Sequence, residues 1–113
     1  MSIQKTISPV DGRVLVEREL AEAAQIEAAL DKAVKAQKAW HAAPLSERIA
    51  VSKRFVDAME AKADAIGEEL SWQMGRPVRY SPNEIRRGFA ERGRYMTEIA
   101  PQALADIALN LDR

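Results

Sequence analysis

The clearest repeating pattern in this chain is an apolar stripe over residues 22–40. Apolar residues recur there at three- and four-residue spacing, and charged residues fall between them. This is the spacing of one face of an α-helix, so the segment predicts an amphipathic helix. Its start is weakly marked, because Ala23 and Ala24 stand where a Ser, Thr or Asp cap would be more favourable. The stripe consists of Ile26, Leu30, Ala33, Val34 and Trp40, with Gln37 completing the spacing.

A second apolar face predicts two further helices, over residues 44–62 and 64–75. Pro44 at the first helical position or Ser46 as the cap opens the first of them. We expect a break near Asp64, because Asp can cap a new helix and one unbroken helix would be unusually long. The face consists of Ile49, Ser52, Val56, Met59, Ala63, Ile66 and Leu70.

The segment from Leu70 to Pro77 predicts a sharp end to the third helix. Gly75 suits the left-handed conformation that commonly follows a last helical turn. Pro77 disfavours helical backbone at the residue before it. Trp72 and Met74 precede this corner at helical spacing, and large apolar side chains so placed usually belong to a core. We therefore predict that both side chains are buried there.

The start of the last helix has the strongest local signal in the chain. Ser81 and Glu84 have the spacing of a capping box, with a proline between them at the first helical position. Gly88 and Gly93 each cost about 1 kcal/mol relative to Ala within a helix, which indicates close packing against another element. Pro101 is predicted to end the helix.

Residues 4–20 have the pattern of a β-hairpin. Pro9 favours a turn, and Asp11-Gly12 supplies residues that tolerate positive φ. β-branched residues such as Ile7 and Val14 flank this turn on both sides. An isolated hairpin is marginal in water, so we expect it to lie on another surface.

Together these patterns predict a mainly α fold with an N-terminal β-hairpin and about four helices. At 113 residues the chain is long enough for one domain and one core. The predicted organisation is a single partial domain over residues 1–113, with a hairpin at 4–20, helices at 22–40, 44–62, 64–75 and 82–100, and a tail at 101–113 that is a helical turn, a strand or disordered.

Composition excludes several classes of function. The 17 basic and 17 acidic residues cancel, so no net field favours nucleic acid or an anionic membrane as a partner. The chain has no cysteine, which excludes disulfides, thiolate metal sites and a cysteine nucleophile. No apolar run approaches the length of a membrane span, and the first five residues lack the apolar core of a signal peptide. We therefore expect a cytoplasmic location.

Candidate catalytic or binding residues are few, and each has a simpler structural interpretation. His41 is the single histidine, and it has no second histidine or cysteine with which to form a metal site or a triad. Carboxylates at helical spacing usually form a solvated face, and arginines interleaved with Glu favour ion pairing over phosphate binding. No residue is therefore assigned to catalysis, to a cofactor or to a metal. The groups considered are Glu27 with Asp31, Glu60 with Asp64, Glu68 with Glu69, and Arg76, Arg79, Arg86, Arg87, Arg92 and Arg94.

The order of these elements resembles the N-terminal segment of the aldehyde dehydrogenase superfamily. Ser8-Pro9-Val10-Asp11-Gly12-Arg13-Val14 resembles the Asn-Pro-Ala-Thr-Gly-Glu-Val turn of that family. Met74-Gly75-Arg76-Pro77 resembles its Glu-Thr-Gly-Lys-Pro corner, although Met74 replaces Thr and Gln73 replaces Glu. Pro44-Leu45-Ser46-Glu47-Arg48 and a helix with Arg94-Tyr95 near its end complete the series. The resemblance covers about residues 5 to 107.

The resemblance implies a fragment of a larger enzyme. Family members oxidise aldehydes to acids with NAD or NADP through a cysteine thiolate and a glutamate-activated water. The resemblance assigns those groups and the cofactor turn to later segments, so no family site residue and no cofactor maps onto this chain. It also implies that these helices and this hairpin pack against the larger body of the enzyme.

Three hypotheses follow for function. The first is a truncated aldehyde dehydrogenase that is inactive by itself. The second is a helical module that self-associates, with a dimer favoured, because four helices leave apolar stripes without cover. The third is one part of a split enzyme, in which a second chain supplies catalysis. The substrate class and the choice between NAD and NADP are not encoded here.

Overall fold

The computed structural model describes residues 2–109, and it confirms the predicted fold class of a hairpin followed by helices. A π-helical segment at Glu84–Phe89 leads directly into the last α-helix. The remaining elements, in chain order, are strands β1 (Ile3–Ile7) and β2 (Val14–Glu19) and helices α1 (Ala23–Ala42), α2 (Leu45–Glu60), α3 (Ala63–Met74) and α4 (Ala90–Ala103).

The two strands form an antiparallel hairpin, as the Pro-Val-Asp-Gly turn predicts. Ile3 pairs with Glu19 at the open end and Ile7 pairs with Val14 next to the turn. Gly12 has a φ of 77°, a conformation that costs other residues free energy and that glycine adopts readily. The Ser8 N–H donates to the Arg13 carbonyl at 2.9 Å and closes the turn.

Helix α1 has no buried residue. Gln25 Oε1 accepts a hydrogen bond from the Glu22 N–H at 2.8 Å, which caps a start that has no Ser, Thr or Asp. Every residue from Ala23 to Ala42 is exposed. The helix is therefore stabilised by its own hydrogen bonds and cap, without a packed face.

The break between α2 and α3 falls where the sequence predicts it, but it is made differently. α2 ends at Glu60 and α3 begins at Ala63, with Lys62 at the N-cap position. Asp64 lies inside the first turn of α3, so the prediction that it caps the helix is wrong. Its carboxylate instead accepts a hydrogen bond from Arg86 at 2.9 Å. Arg86, which is 22 positions away in the sequence, therefore binds the carboxylate that would otherwise cap the helix.

The predicted end of α3 is confirmed. Gly75 follows Met74 with a φ of 71° and a ψ of 17°, and its N–H donates to the Ser71 carbonyl at 2.8 Å. A Cβ built on Gly75 would lie 3.2 Å from Pro9 Cγ in the hairpin turn. The corner thus depends on glycine for its backbone conformation and also for its tight contact with the hairpin.

The predicted capping box at Ser81 and Glu84 does not form. Ser81 is fully buried, and its Oγ lies 2.7 Å from Ser71 Oγ and 3.2 Å from the Pro77 carbonyl oxygen. The Glu84 carboxylate pairs with Arg76 at 2.6 Å instead of returning to the Ser81 N–H. Tertiary hydrogen bonds have replaced the local ones, and the chain enters a π-helical turn.

The last helix continues past Pro101, contrary to the prediction that this residue ends it. α4 runs to Ala103, and the Leu104 N–H donates to the Ala100 carbonyl at 3.0 Å. Proline removes its own N–H but leaves the following residues free to complete one more turn. Residues 104–109 have no further helix or strand, and the rest of the predicted tail, 110–113, lies outside the described residues.

The core is small and lies where α2, α3 and the last helical segments meet. Its buried apolar residues are Val56, Ala63, Ile85 and Ala90. The chain has a radius of gyration of 20.1 Å, against about 13 Å for a compact protein of this length. It exposes 9448 Å², whereas a compact 12.6 kDa protein exposes about 6,200 Å². Roughly 3,200 Å² of additional surface therefore stays open.

Candidate interaction surface

The hairpin is fastened to the end of α3 by a buried serine. Ser8 is 1% exposed, and its hydroxyl donates to the Trp72 carbonyl at 2.6 Å. The same oxygen accepts from the Val10 N–H at 3.2 Å. The Arg13 guanidinium lies 4.0 Å from the centre of the Trp72 ring, in cation–π contact. These contacts give the hairpin the supporting surface that its length requires.

The two large side chains at this corner have different environments. Trp72 is only partly buried, beneath Arg13, so its predicted place in the core is met in part. Met74 is 64% exposed, so the prediction that it lies in the core is wrong. The turn at Gly75 carries the chain away before any element covers Met74, and its side chain joins the open surface.

An apolar groove of about 380 Å³ runs between α2 and α4. The helices approach closely at Gly93, where a Cβ would lie 2.6 Å from Val56 Cγ2. The prediction of close packing is thus correct for Gly93, while Gly88 has no neighbour nearer than 3.8 Å. Phe55 and Phe89 meet edge to face with ring centres 5.5 Å apart on the wall. The remaining lining residues include Trp40, Leu45, Ile49, Met96, Ala100 and Leu104.

One cationic side chain lines this apolar groove. Arg48 extends from α2, and its Nε is buried with no hydrogen-bond acceptor among residues 2–109. A buried donor without a partner costs about 1–3 kcal/mol, and more when the group is charged. The groove therefore suits an occupant that is mostly apolar and brings one acceptor to Arg48.

Ion pairs between residues outside the groove lining connect the helices. Arg94 on α4 donates to Asp57 on α2 at 2.9 Å and also contacts Glu60. The pKa of Asp64 is lowered by its hydrogen bond and charge interaction with Arg86, and the pKa of Arg86 is raised by the same contact. Glu60 and Asp64, which the sequence offers as a possible carboxylate pair, thus bind two different arginines.

The other catalytic candidates are brought to no common site. His41 is exposed in the last turn of α1, and Glu27 and Asp31 are exposed on the same helix. Glu69 accepts a hydrogen bond from Gln73 one turn later at 3.0 Å. Within residues 2–109, no group of three His, Cys, Asp or Glu side chains could hold a metal ion. None of the helices in that range is long and apolar enough to cross a membrane.

Sequence reasoning missed Ser8, Arg48 and Gly67. Ser8 acts on a carbonyl 64 positions away, and nothing in the hairpin pattern indicates that contact. Gly67 lies against Pro82, so closely that a Cβ would be 2.7 Å from the proline nitrogen. An arginine within an apolar helical face was the one signal that could have drawn attention to Arg48.

The hairpin and the helices thus carry an open apolar groove and further exposed apolar side chains, and the described residues bring no catalytic group together. Comparison with known proteins identifies the family. The model of the aldehyde dehydrogenase family matches residues 2–110. The chain belongs to the aldehyde dehydrogenase family, as its N-terminal segment.

Individual relatives agree with this family. An aldehyde dehydrogenase of Deinococcus radiodurans is 35% identical over 72 residues, which are 64% of this chain and 14% of that protein. A long-chain-aldehyde dehydrogenase of Acinetobacter is 37% identical over 73 residues, 65% of this chain and 14% of its own. A vanillin dehydrogenase of Corynebacterium glutamicum is 36% identical over 73 residues, 65% of this chain and 15% of its own. The chain spans about one seventh of the length of these curated relatives, and no solved structure gives a significant match.

Proposed function

We propose that this chain serves as the N-terminal docking segment of an NAD(P)-dependent aldehyde dehydrogenase and catalyses no reaction by itself. The observation that carries the proposal is the pairing of family membership with an open apolar groove between α2 and α4. A catalytic body covering that groove would bury surface that the segment cannot bury alone. The body is either continuous with the segment or a second polypeptide.

The residues of this chain do not fit the cofactor that the family uses. A dinucleotide site needs clustered glycines at a strand-to-helix turn, where the backbone can approach the phosphates. The two glycines with positive φ, Gly12 and Gly75, lie instead in the hairpin turn and after a helix end. The chain also has no cysteine to attack an aldehyde. We therefore assign no step of the reaction to these residues.

The first test is an activity assay with complementation. The purified chain, mixed with NAD or NADP and a panel of aldehydes, should form no reduced nicotinamide. Adding the catalytic body of the Deinococcus radiodurans relative, expressed without its matching segment, should give activity that depends on this chain. Robust turnover by the isolated chain would refute the proposal. A catalytic body whose activity does not change when this chain is added would also refute it.

Two matched variants direct this test to the groove. Met96 lines the groove and is 61% exposed, while its neighbour Tyr95 is 60% exposed and does not line it. Met96→Glu places a charge in the apolar groove and should abolish complementation. Tyr95→Glu places the same charge one residue away and should leave complementation intact. Equal losses in the two variants would contradict docking through the groove.

A second candidate function is favoured by one specific observation, the wholly exposed helix α1. We infer that, without a catalytic body, the chain self-associates, and we expect a dimer. Light scattering across a concentration series tests this, and a well-folded monomer at high concentration would contradict it. The cytoplasmic location and the nicotinamide cofactor remain predictions.

A further inference from the structure

Helix α1 has the form of a ligand for an apolar groove. Its 20 residues span about 30 Å, and its large apolar side chains lie along one stripe. Taking Leu30 as the centre of the stripe, Ile26, Val34 and Gln37 all fall within about 40° of it. All four side chains are exposed. An amphipathic helix of this kind buries its stripe by lying in a groove on a partner.

The α2–α4 groove needs an apolar occupant with one acidic group, and α1 carries such a group at the edge of its stripe. Glu27 lies about 60° around the helix from Leu30, on the boundary between the apolar and polar faces. A carboxylate at this position can accept from a guanidinium on the groove wall while the stripe stays in apolar contact. Arg48 is the one charged side chain that lines the groove, and it makes no ion pair among residues 2–109.

The helix does not occupy the groove of its own chain. Ala43 and Pro44, the two residues that join α1 to α2, are both extended, with ψ values of 141° and 145°. They carry α1 away from α2, so that of its residues Trp40 alone lines the groove. A short connection that holds a helix away from its own core favours exchange of that helix with another copy.

We propose that two copies of this chain exchange α1, so that the stripe of each helix fills the α2–α4 groove of the other and Glu27 meets Arg48. This inference rests on the second candidate function above and specifies its interface. The area is sufficient, because a standard interface buries about 800 Å² per partner. The chain exposes roughly 3,200 Å² more than a compact protein of its size.

Sedimentation velocity at several concentrations tests the stripe. The natural chain should form a dimer, and Leu30→Asp should be monomeric, because it places a charge in the apolar contact. Ala28→Asp is the control: it lies on the opposite face of the same exposed helix and should leave the dimer intact. A monomeric natural chain would overturn both this inference and self-association. A dimer that survives Leu30→Asp would overturn the exchange alone.

Charge reversal tests the pairing of Glu27 with Arg48. Glu27→Arg should weaken the dimer by about tenfold or more, and Arg48→Glu should weaken it likewise. Combining the two restores opposite charges and should bring the dissociation constant most of the way back. A double variant as weak as the single ones would refute the pairing.

Circular dichroism of each variant shows whether a weaker dimer results from lost helix content or from the lost charge pair. If Arg48→Glu lowers the helix content, Glu27→Arg carries the test, since Glu27 is exposed on a helix that has no buried residue. A Glu27→Arg chain that dimerises as tightly as the natural one would then overturn the pairing. The aldehyde assay tests the docking proposal and does not depend on these measurements of dimer formation. A failure of the docking proposal can therefore be distinguished from a failure of the helix exchange.

Discussion

Replacing Gly93 by Ala should destabilise the packing of α2 against α4. An ideal Cβ at this position lies 2.6 Å from Val56 Cγ2, whereas two carbon atoms in favourable contact are about 3.5–4.0 Å apart. Val56 is 3% exposed and cannot move into solvent. As a β-branched residue inside a helix it also has essentially one side-chain rotamer. The two helices must therefore separate to admit the methyl group.

The magnitude follows from two opposing effects. Overpacking in a well-packed contact typically costs about 1–3 kcal/mol. Exchanging Gly for Ala in a helix returns up to about 1 kcal/mol. The net effect should be a loss of up to about 2 kcal/mol in the free energy of unfolding. Gly88→Ala, where the nearest neighbouring atom is 3.8 Å away, keeps only the favourable effect and should be neutral or slightly stabilising.

Urea unfolding followed by helical circular dichroism at one protein concentration measures both variants. Combining Gly93→Ala with Val56→Ala gives a further check, because removing the valine methyl groups should relieve the clash and leave a coupling free energy of about 1–3 kcal/mol. If Gly93→Ala stabilises the chain as much as Gly88→Ala, α2 and α4 do not pack as described. An additive double variant would refute the clash with Val56.

Two further predictions concern the other contacts that hold the elements together. Ser8→Ala removes the hydroxyl that bonds the Trp72 carbonyl at 2.6 Å, so it should cost about 1–2 kcal/mol and lower the midpoint of thermal unfolding; an unchanged midpoint would show that the hairpin is not fastened there. The contact with Arg86 lowers the pKa of Asp64 in the folded chain. The contribution of this contact to the free energy of unfolding is therefore complete above the ordinary carboxyl pKa near 3.8, and it is lost as the pH falls through the lower pKa of the folded chain. Asp64→Asn should therefore flatten the acid end of a stability–pH profile, and a profile that superimposes on that of the natural chain would contradict this.

The features that the sequence predicts correctly depend on nearby residues. A glycine in the left-handed conformation at residue 75, a turn at Asp11-Gly12 and a helix break near residues 62–64 each follow from conformational preferences within a few positions. The helices follow from the period of their apolar residues in the same way. Such signals are strong because backbone sterics do not change with the rest of the fold.

The failed predictions share a different cause. Ser81 has the sequence of a helix cap, but burial beside Ser71 offers its hydroxyl other partners. Asp64 likewise prefers Arg86, 22 positions away, to the first turn of its own helix. The open groove and the unpaired Arg48 Nε depend on how α2 and α4 pack against each other. The spacing of apolar residues within each helix does not determine that packing. Contacts between distant residues decided each of these cases.

The two proposed associations compete for the same faces. A groove filled by α1 of a second copy cannot at the same time receive a catalytic body, so each association opposes the other by mass action. The dimer would then keep apolar faces covered until a body with higher affinity displaces the exchanged helix.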